Sequence, residues 1–281
     1  DSKSTLERST RIWFDDNDHV AIYGESDRTI EAYDLLSGER IATFPNVGRT
    51  IAVCGQPDKG SPSKLIASSL EAVTVVDPTT WKAQVLDDLP GKRVHSVDAS
   101  PISSSIIIGN DRDQIICIDA ETGQQQWAVE TSGNFRGITG REPGMVDDVW
   151  YSRGGRYVTS WHMMDEHLAV RSAATGELVH RFEPIYKDHR FFADDRYLVL
   201  FRFNGTIEIY DTSDQFRLVR TLRSSQNGDY LCYTPSGTIT GNPAALERAV
   251  IVVDSEPLPI AEVEALTIVT AEEMDPLERA E

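Results

Sequence analysis

The sequence is poor in cysteine, in basic residues and in long apolar runs. Only Cys54, Cys117 and Cys232 are present, far apart, with no CxxC pair and no zinc-ligand spacing. That excludes a disulfide framework and a cysteine metal knuckle. Free cysteines inside apolar runs behave as small buried hydrophobes, which fits a reducing compartment and a cytoplasmic setting. Lys and Arg total 27 against 45 Asp and Glu, a net charge of −18. General binding to nucleic acid or anionic membrane needs clustered cations, so neither is expected. No run of 18 apolar residues occurs, so no membrane-spanning helix is expected. The chain opens on Asp1 rather than Met, so it reads as a fragment, with a signal peptide or upstream domain left open.

Catalytic signatures are scarce as well. There is no G-x-S-x-G elbow, no P-loop and no G-x-G-x-x-G. His162, Asp165, Glu166 and His167 form the densest ligand-like cluster, but they sit at a turn where polar residues belong, and metal sites need converging ligands with a supporting shell. No catalytic residue, metal or cofactor is expected.

What the sequence does contain is a repeat. Six β-rich runs end at 34, 77, 119, 172, 211 and 254: TIEAYD, AVTVVD, QIICID, HLAVRS, TIEIYD and AVIVVD. Their spacings are 43, 42, 53, 39 and 43, inside or near the roughly 40–45 residues of a four-stranded propeller blade. A turn precedes most runs, as at Arg112-Asp113 and Asn204-Gly205, and the latter predicts a hairpin with positive φ at both residues. Another extended run lies before that turn, and a turn followed by an outer strand comes after the acidic end. Ile30, Val73, Ile115, Leu168, Ile207 and Val250 share one column. Tyr33, Val76, Ile118, Tyr210 and Val253 point the other way. Strands apolar on both faces are expected to lie between neighbouring sheets.

These repeats resemble the WD-repeat class of β-propeller in degenerate form. The YD, VD, ID, RS, YD and VD ends stand where that class has Trp-Asp, and the usual Gly-His pair is absent. The resemblance implies an all-β propeller of four-stranded antiparallel blades. Six blades are expected, with part of a seven-bladed ring as the alternative. Residues 1–270 would form the propeller and 271–281 an acidic tail. Within the last repeat, Thr234-Pro235-Ser236-Gly237 and Gly241-Asn242-Pro243-Ala244 are similar to the closing segment of propellers that accompany bacterial caspase-like peptidases. The simpler reading of that segment is a proline-bounded strand pair. Residues 265–270, ALTIVT, are expected to add an outer strand.

Basic residues recur near the starts of first strands: Arg49, Lys92 and Arg93, Arg136, Lys187 and Arg190, with Arg11 as a sixth position. Equivalent positions would place Arg49, Arg93, Arg136 and Arg190 at one level, a local positive mouth where field lines converge. The competing reading is that each pairs with a nearby turn acid such as Asp27, Asp113 or Asp165. Two insertions, 56–63 and 139–148, lengthen loops, and added loop length on a rigid scaffold often carries binding. Arg141, Met145, Asp147 and Asp148 make the second a candidate contact loop. The resulting expectation is a non-enzymatic protein-interaction scaffold or sensor. Its partner would be a protein, a caspase-like peptidase among the candidates, in a bacterial signalling or antiviral defence system. The alternative is a propeller enzyme or small-ligand sensor that uses the central channel.

Overall fold

A computed structural model describes residues 11–14, 19–24, 29–45, 50–54, 64–87, 89, 93–131, 146–162, 167–182, 186–224, 227–248, 250–253, 256–259 and 267–268. The chain divides into two compact units, Asp1–Glu183 and Pro184–Glu281.

The first unit contains four antiparallel sheets, each of four sequential strands. They are β1–β4 (Arg11–Phe14, His19–Gly24, Thr29–Asp34, Arg40–Phe44) and β5–β8 (Thr50–Cys54, Lys64–Ser68, Val73–Asp77, Lys82–Leu86). Then follow β9–β12 (Val94–Ala99, Ser105–Asn110, Gln114–Asp119, Gln125–Glu130) and β13–β16 (Asp148–Tyr151, Tyr157–His162, His167–Ser172, Leu178–Phe182). Strand β9 packs against both β5 and β13, the first strands of its two neighbours.

Period-two alternation distributes the core between these sheets. Ile106, Ile108, Ile116 and Ile118 face the β5–β8 sheet, where they meet Ile66, Val73 and Val75. Their neighbours in sequence, Ile107, Ile115 and Cys117, face the other way and pack with Trp127, Val146, Val149 and Val158. Ile30, Leu65, Ala67 and Val76 fill the first junction, with Phe44 and Trp81 against them. The doubly apolar strands read from the sequence are thus sandwiched between sheets. Each fully buried isoleucine contributes about 1.5–3 kcal/mol through area removed from water.

The acid that ends the third strand of each of the first three sheets has a local task; in the fourth sheet Ser172 takes that position. Asp119 Oδ1 accepts from the Glu121 and Thr122 N–H groups at 2.9 and 2.8 Å and from Thr122 Oγ1 at 3.0 Å. Asp34 does the same for Leu36, Ser37 N–H and Ser37 Oγ, and Asp77 for Thr79 and Thr80. An aspartate here closes the turn as a side-chain mimic of the backbone. Its other oxygen ties the turn to the preceding strand region: Lys64 Nζ to Asp77 at 3.0 Å and Ser104 Oγ to Asp119 at 2.8 Å. The turn then needs a left-handed residue. Gly38, Gly123 and Gly176 supply it at φ of 72, 71 and 75°, and Trp81 takes the same position at 51°.

In the second unit, β17–β20 (Tyr186–Phe192, Tyr197–Arg202, Thr206–Asp211, Arg217–Ser224) form the fifth repeat. Asp211 again closes its turn onto Ser213. The hairpin before β19 differs from expectation. Gly205 has φ of 79° and Asn204 does not join it; Asn204 Oδ1 instead accepts from the Thr206 N–H at 3.0 Å.

The sixth repeat departs further. β21 (Tyr230–Tyr233) pairs with β20, and β22 (Thr238–Gly241) and β25 (Thr267–Ile268) extend the same sheet to seven strands. A separate four-stranded sixth sheet is therefore not formed among the described residues. Two physical causes are visible. β20 is eight residues long, and its unpaired edge receives β21. Asn242-Pro243 then starts helix α1 (Pro243–Arg248), with Asn242 Oδ1 accepting from the Ala245 N–H at 3.1 Å and proline at the first helical position. The helix separates β22 from β23 (Val250–Val253), which pairs with β24 (Glu256–Pro259) alone. The proline-bounded strand pair is present as β21–β22. The 265–270 segment contributes an edge strand that runs parallel to β22.

Candidate interaction surface

The sequence places Arg93 directly before β9, and the structure shows how it is held. The Arg93 N–H donates to Asp111 Oδ1, and the Asp111 N–H donates to the Arg93 carbonyl, both at 3.2 Å. The backbone makes the tie to the neighbouring turn. The side chain is exposed and enters no ion pair among the described residues.

Arg190 differs. It lies inside β17, not ahead of it. Its guanidinium meets Asp188 of the same strand at 3.4 Å, and both side chains are exposed. Between them His189 is buried, and that burial pushes its pKa down to about 4. Arg93 and Arg190 therefore do not share a register position. The fourth sheet's first strand begins at Asp148. The difference has one source: the loops before β13 and β17 differ in length, and spacing alone does not say where pairing starts.

Asp147 and Asp148 lie at the entry to β13. The Asp147 N–H donates to the Trp161 carbonyl at 3.1 Å, and Asp148 stands opposite Trp161 in the ladder. Val146 just before them is fully buried against Gly109, where a Cβ would come within 2.8 Å of Val146 Cγ1. Arg49, Arg136, Arg141, Met145 and Lys92 lie outside the described residues, as do the side chains of Arg11 and Lys187. His162 stands opposite His167 in the β14–β15 ladder; the His162 side chain, Asp165 and Glu166 lie outside the described residues. No group of three or more His, Cys, Asp or Glu able to hold a metal occurs among the described residues.

Sequence reasoning missed the polar seam between β9 and β13. Ser96 Oγ accepts from the Val149 N–H at 3.1 Å, and Asp98 Oδ2 accepts from the Tyr151 N–H at 2.7 Å. Burial raises the Asp98 carboxyl to about 6 against the hydrogen bonds it accepts from the Tyr151 and Ala99 backbone. Next to the seam, Cys117 Sγ bonds Gln126 Oε1 at 3.2 Å and lies 3.6 Å from the Tyr151 hydroxyl. Burial pushes the thiol and the phenol upward. A nucleophilic thiol needs the opposite, an accessible and stabilised thiolate. Cys117 is a packing residue. The signal for the seam was the alternation in VHSVDA, where Ser96 and Asp98 take one face and Val97 and Ala99 the other.

No helix among the described residues is long and apolar enough to cross a membrane. No protein-family model matches the sequence, and no curated protein matches it. Among solved structures, the chain is similar to the β-propeller domain of Cps50 (Swd1) from Myceliophteria thermophila, with a TM-score of 0.54 and 13% identity. That likeness covers 80% of this chain and 83% of that domain. At this identity it speaks to fold alone, and the fold it supports is an all-β propeller.

Proposed function

We propose that this chain is a non-enzymatic scaffold or sensor that presents a rigid propeller surface to a protein partner. The observation that carries the reading is the fold itself: repeated antiparallel sheets with continuous cores between them, an architecture that commonly mediates protein–protein interaction. In this reading residues 1–270 form the propeller from six repeats, the sixth built differently, and 271–281 an acidic tail. Arg49, Arg93, Arg136 and Arg190, with the loop residues Arg141, Met145, Asp147 and Asp148, make up the docking surface. The exposed guanidinium of Arg93 supports that assignment, because it is spent on no internal carboxylate among the described residues. The closing cadence at 234–244 is the ground for naming a caspase-like peptidase as partner and a cytoplasmic bacterial signalling or defence system as setting.

Affinity purification of the chain and of Arg93→Glu, with the retained proteins quantified by mass spectrometry, tests the docking surface. The expected result is a stoichiometric partner on the native chain, reduced on the variant, with both melting alike. A partner retained equally by a folded Arg93→Glu chain would remove Arg93 from the surface. A caspase-like peptidase among the retained proteins would support the narrower setting.

A further inference from the structure

A second surface, built by Pro184–Glu281 alone, extends this reading to a specific partner chemistry. On the seven-stranded sheet Glu208 stands opposite Thr221, and Thr221 opposite Tyr233. One step toward the β18–β19 turn, Thr206 stands opposite Arg223, and Arg223 opposite Leu231. Cross-strand partners point to the same side of a sheet, so these residues form one patch. With the turn residues Arg202, Phe203 and Asn204 they line an open groove of about 560 Å³.

The charges within the groove are unequal. Arg202 donates to Glu208 Oε2 at 2.9 and 2.6 Å, and the Tyr210 hydroxyl donates to the same oxygen at 2.7 Å. Glu208, the only carboxylate lining the groove among the described residues, is thereby neutralised. Arg223 is exposed and enters no ion pair among the described residues. Its strand, β20, carries no acid, and Arg223 is the arginine it gives to the groove. Two rings stand open beside it: Phe203 is 68% exposed and Tyr233 39%. Aromatic residues and Arg are the side chains enriched at interface centres. Single exposed apolar residues need no explanation, but aromatics joined to an uncancelled cation in one groove do.

We propose that this groove docks an acidic peptide segment of a protein partner. One carboxylate of the segment meets the Arg223 fork, which suits it bidentately. A neighbouring aliphatic side chain lies against Phe203 and Tyr233. Charge decides against a basic segment, which would meet two guanidinium groups and a carboxylate already taken. The proposal rests on reading the chain as an interaction module, but it uses none of the residues assigned to the Arg93 surface.

The test is fluorescence anisotropy on the full chain with a labelled Glu-Leu-Glu-Leu-Glu peptide. Two controls accompany it, one with Gln replacing Glu and one with Ser replacing Leu. The acidic, leucine-bearing peptide is expected to bind, more weakly as salt rises. Arg223→Glu should weaken it about tenfold or more, and Phe203→Ala about threefold or more, within the range that alanine and charge substitutions reach at interfaces. Both side chains are exposed, so thermal melts should be unchanged; if either variant fails to fold, Arg223→Gln and Phe203→Ser replace them. Equal binding of the Gln control, or full binding by a folded Arg223→Glu chain, would overturn the proposal. No binding by the peptide, while a partner protein is still retained by both the native chain and Arg223→Glu, would overturn this groove and leave the scaffold reading standing. Loss of every retained partner from the native chain would overturn the scaffold reading instead.

Discussion

The Asp98 seam yields a pH signature whose sign follows from the structure. The carboxyl titrates at about 6 in the folded chain because burial opposes its charge, whereas an unfolded aspartate titrates near roughly 3.9. The folded state therefore holds this proton more tightly. Its stabilising effect is complete below pH 4 and is lost as pH rises through 6. Each pKa unit corresponds to about 1.4 kcal/mol, so the full effect approaches about 3 kcal/mol as an upper figure. Asp98→Asn keeps an oxygen for the Tyr151 N–H and removes the charge. Urea unfolding of both chains, followed by tryptophan fluorescence between pH 4 and 7, isolates the effect, because every other titrating group cancels in the difference. The stability of the Asn variant relative to the native chain should climb across that range by up to about 3 kcal/mol. A flat difference would refute the reasoning, since it would mean that Asp98 is solvated as in the unfolded chain. Asp98→Ala, which also orphans the Tyr151 N–H, should be less stable than Asn at every pH.

Three further outcomes follow from the repeat. Asp119→Ala removes the acceptor for two turn N–H groups and should cost about 1–3 kcal/mol in chemical denaturation, with Asp119→Asn recovering most of it. Gly176→Ala combines a φ of 75° with a Cβ 2.7 Å from the Trp127 ring, so it should lower the melting temperature and shift Trp127 fluorescence, at a cost of about 1–3 kcal/mol. Asp211 is held down to about 2, first by the hydrogen bonds from Arg196 and then by those from Ser213. The stability it contributes is present above pH 4 and lost as pH falls toward 2. Arg196→Gln should therefore flatten part of the acid limb of the unfolding profile by lowering stability above pH 4 and leaving it unchanged near pH 2, and the loss should be modest because Arg196 is half exposed.

The four regular sheets were legible because their strands share the same alternation, and in the first three an aspartate closes the next turn, a place that Ser172 takes in the fourth. Ile115 and Ile118 could be assigned to opposite faces from sequence spacing alone, and they occupy opposite cores. The sixth repeat was not legible in the same way. Its fate depends on β20 accepting β21 along an open edge and on Asn242 capping a helix, and pairing between edges leaves no periodic mark. Where an arginine sits relative to its strand is hidden for a related reason. Spacing locates Arg190 near a first strand, but only the ladder from Tyr186 opposite Arg202 to Phe192 opposite Tyr197 shows it to be inside one. Asp98 has no mark of its own in the sequence, because alternation reports that a residue faces away from one sheet without reporting what it meets instead.

The central claim is that the chain works by holding another protein. Native mass spectrometry of the chain purified from its own cells tests it most directly. The account predicts a complex whose mass is the chain plus a stoichiometric protein partner. A chain carrying only a stoichiometric metal or small molecule, with no protein bound, would contradict it.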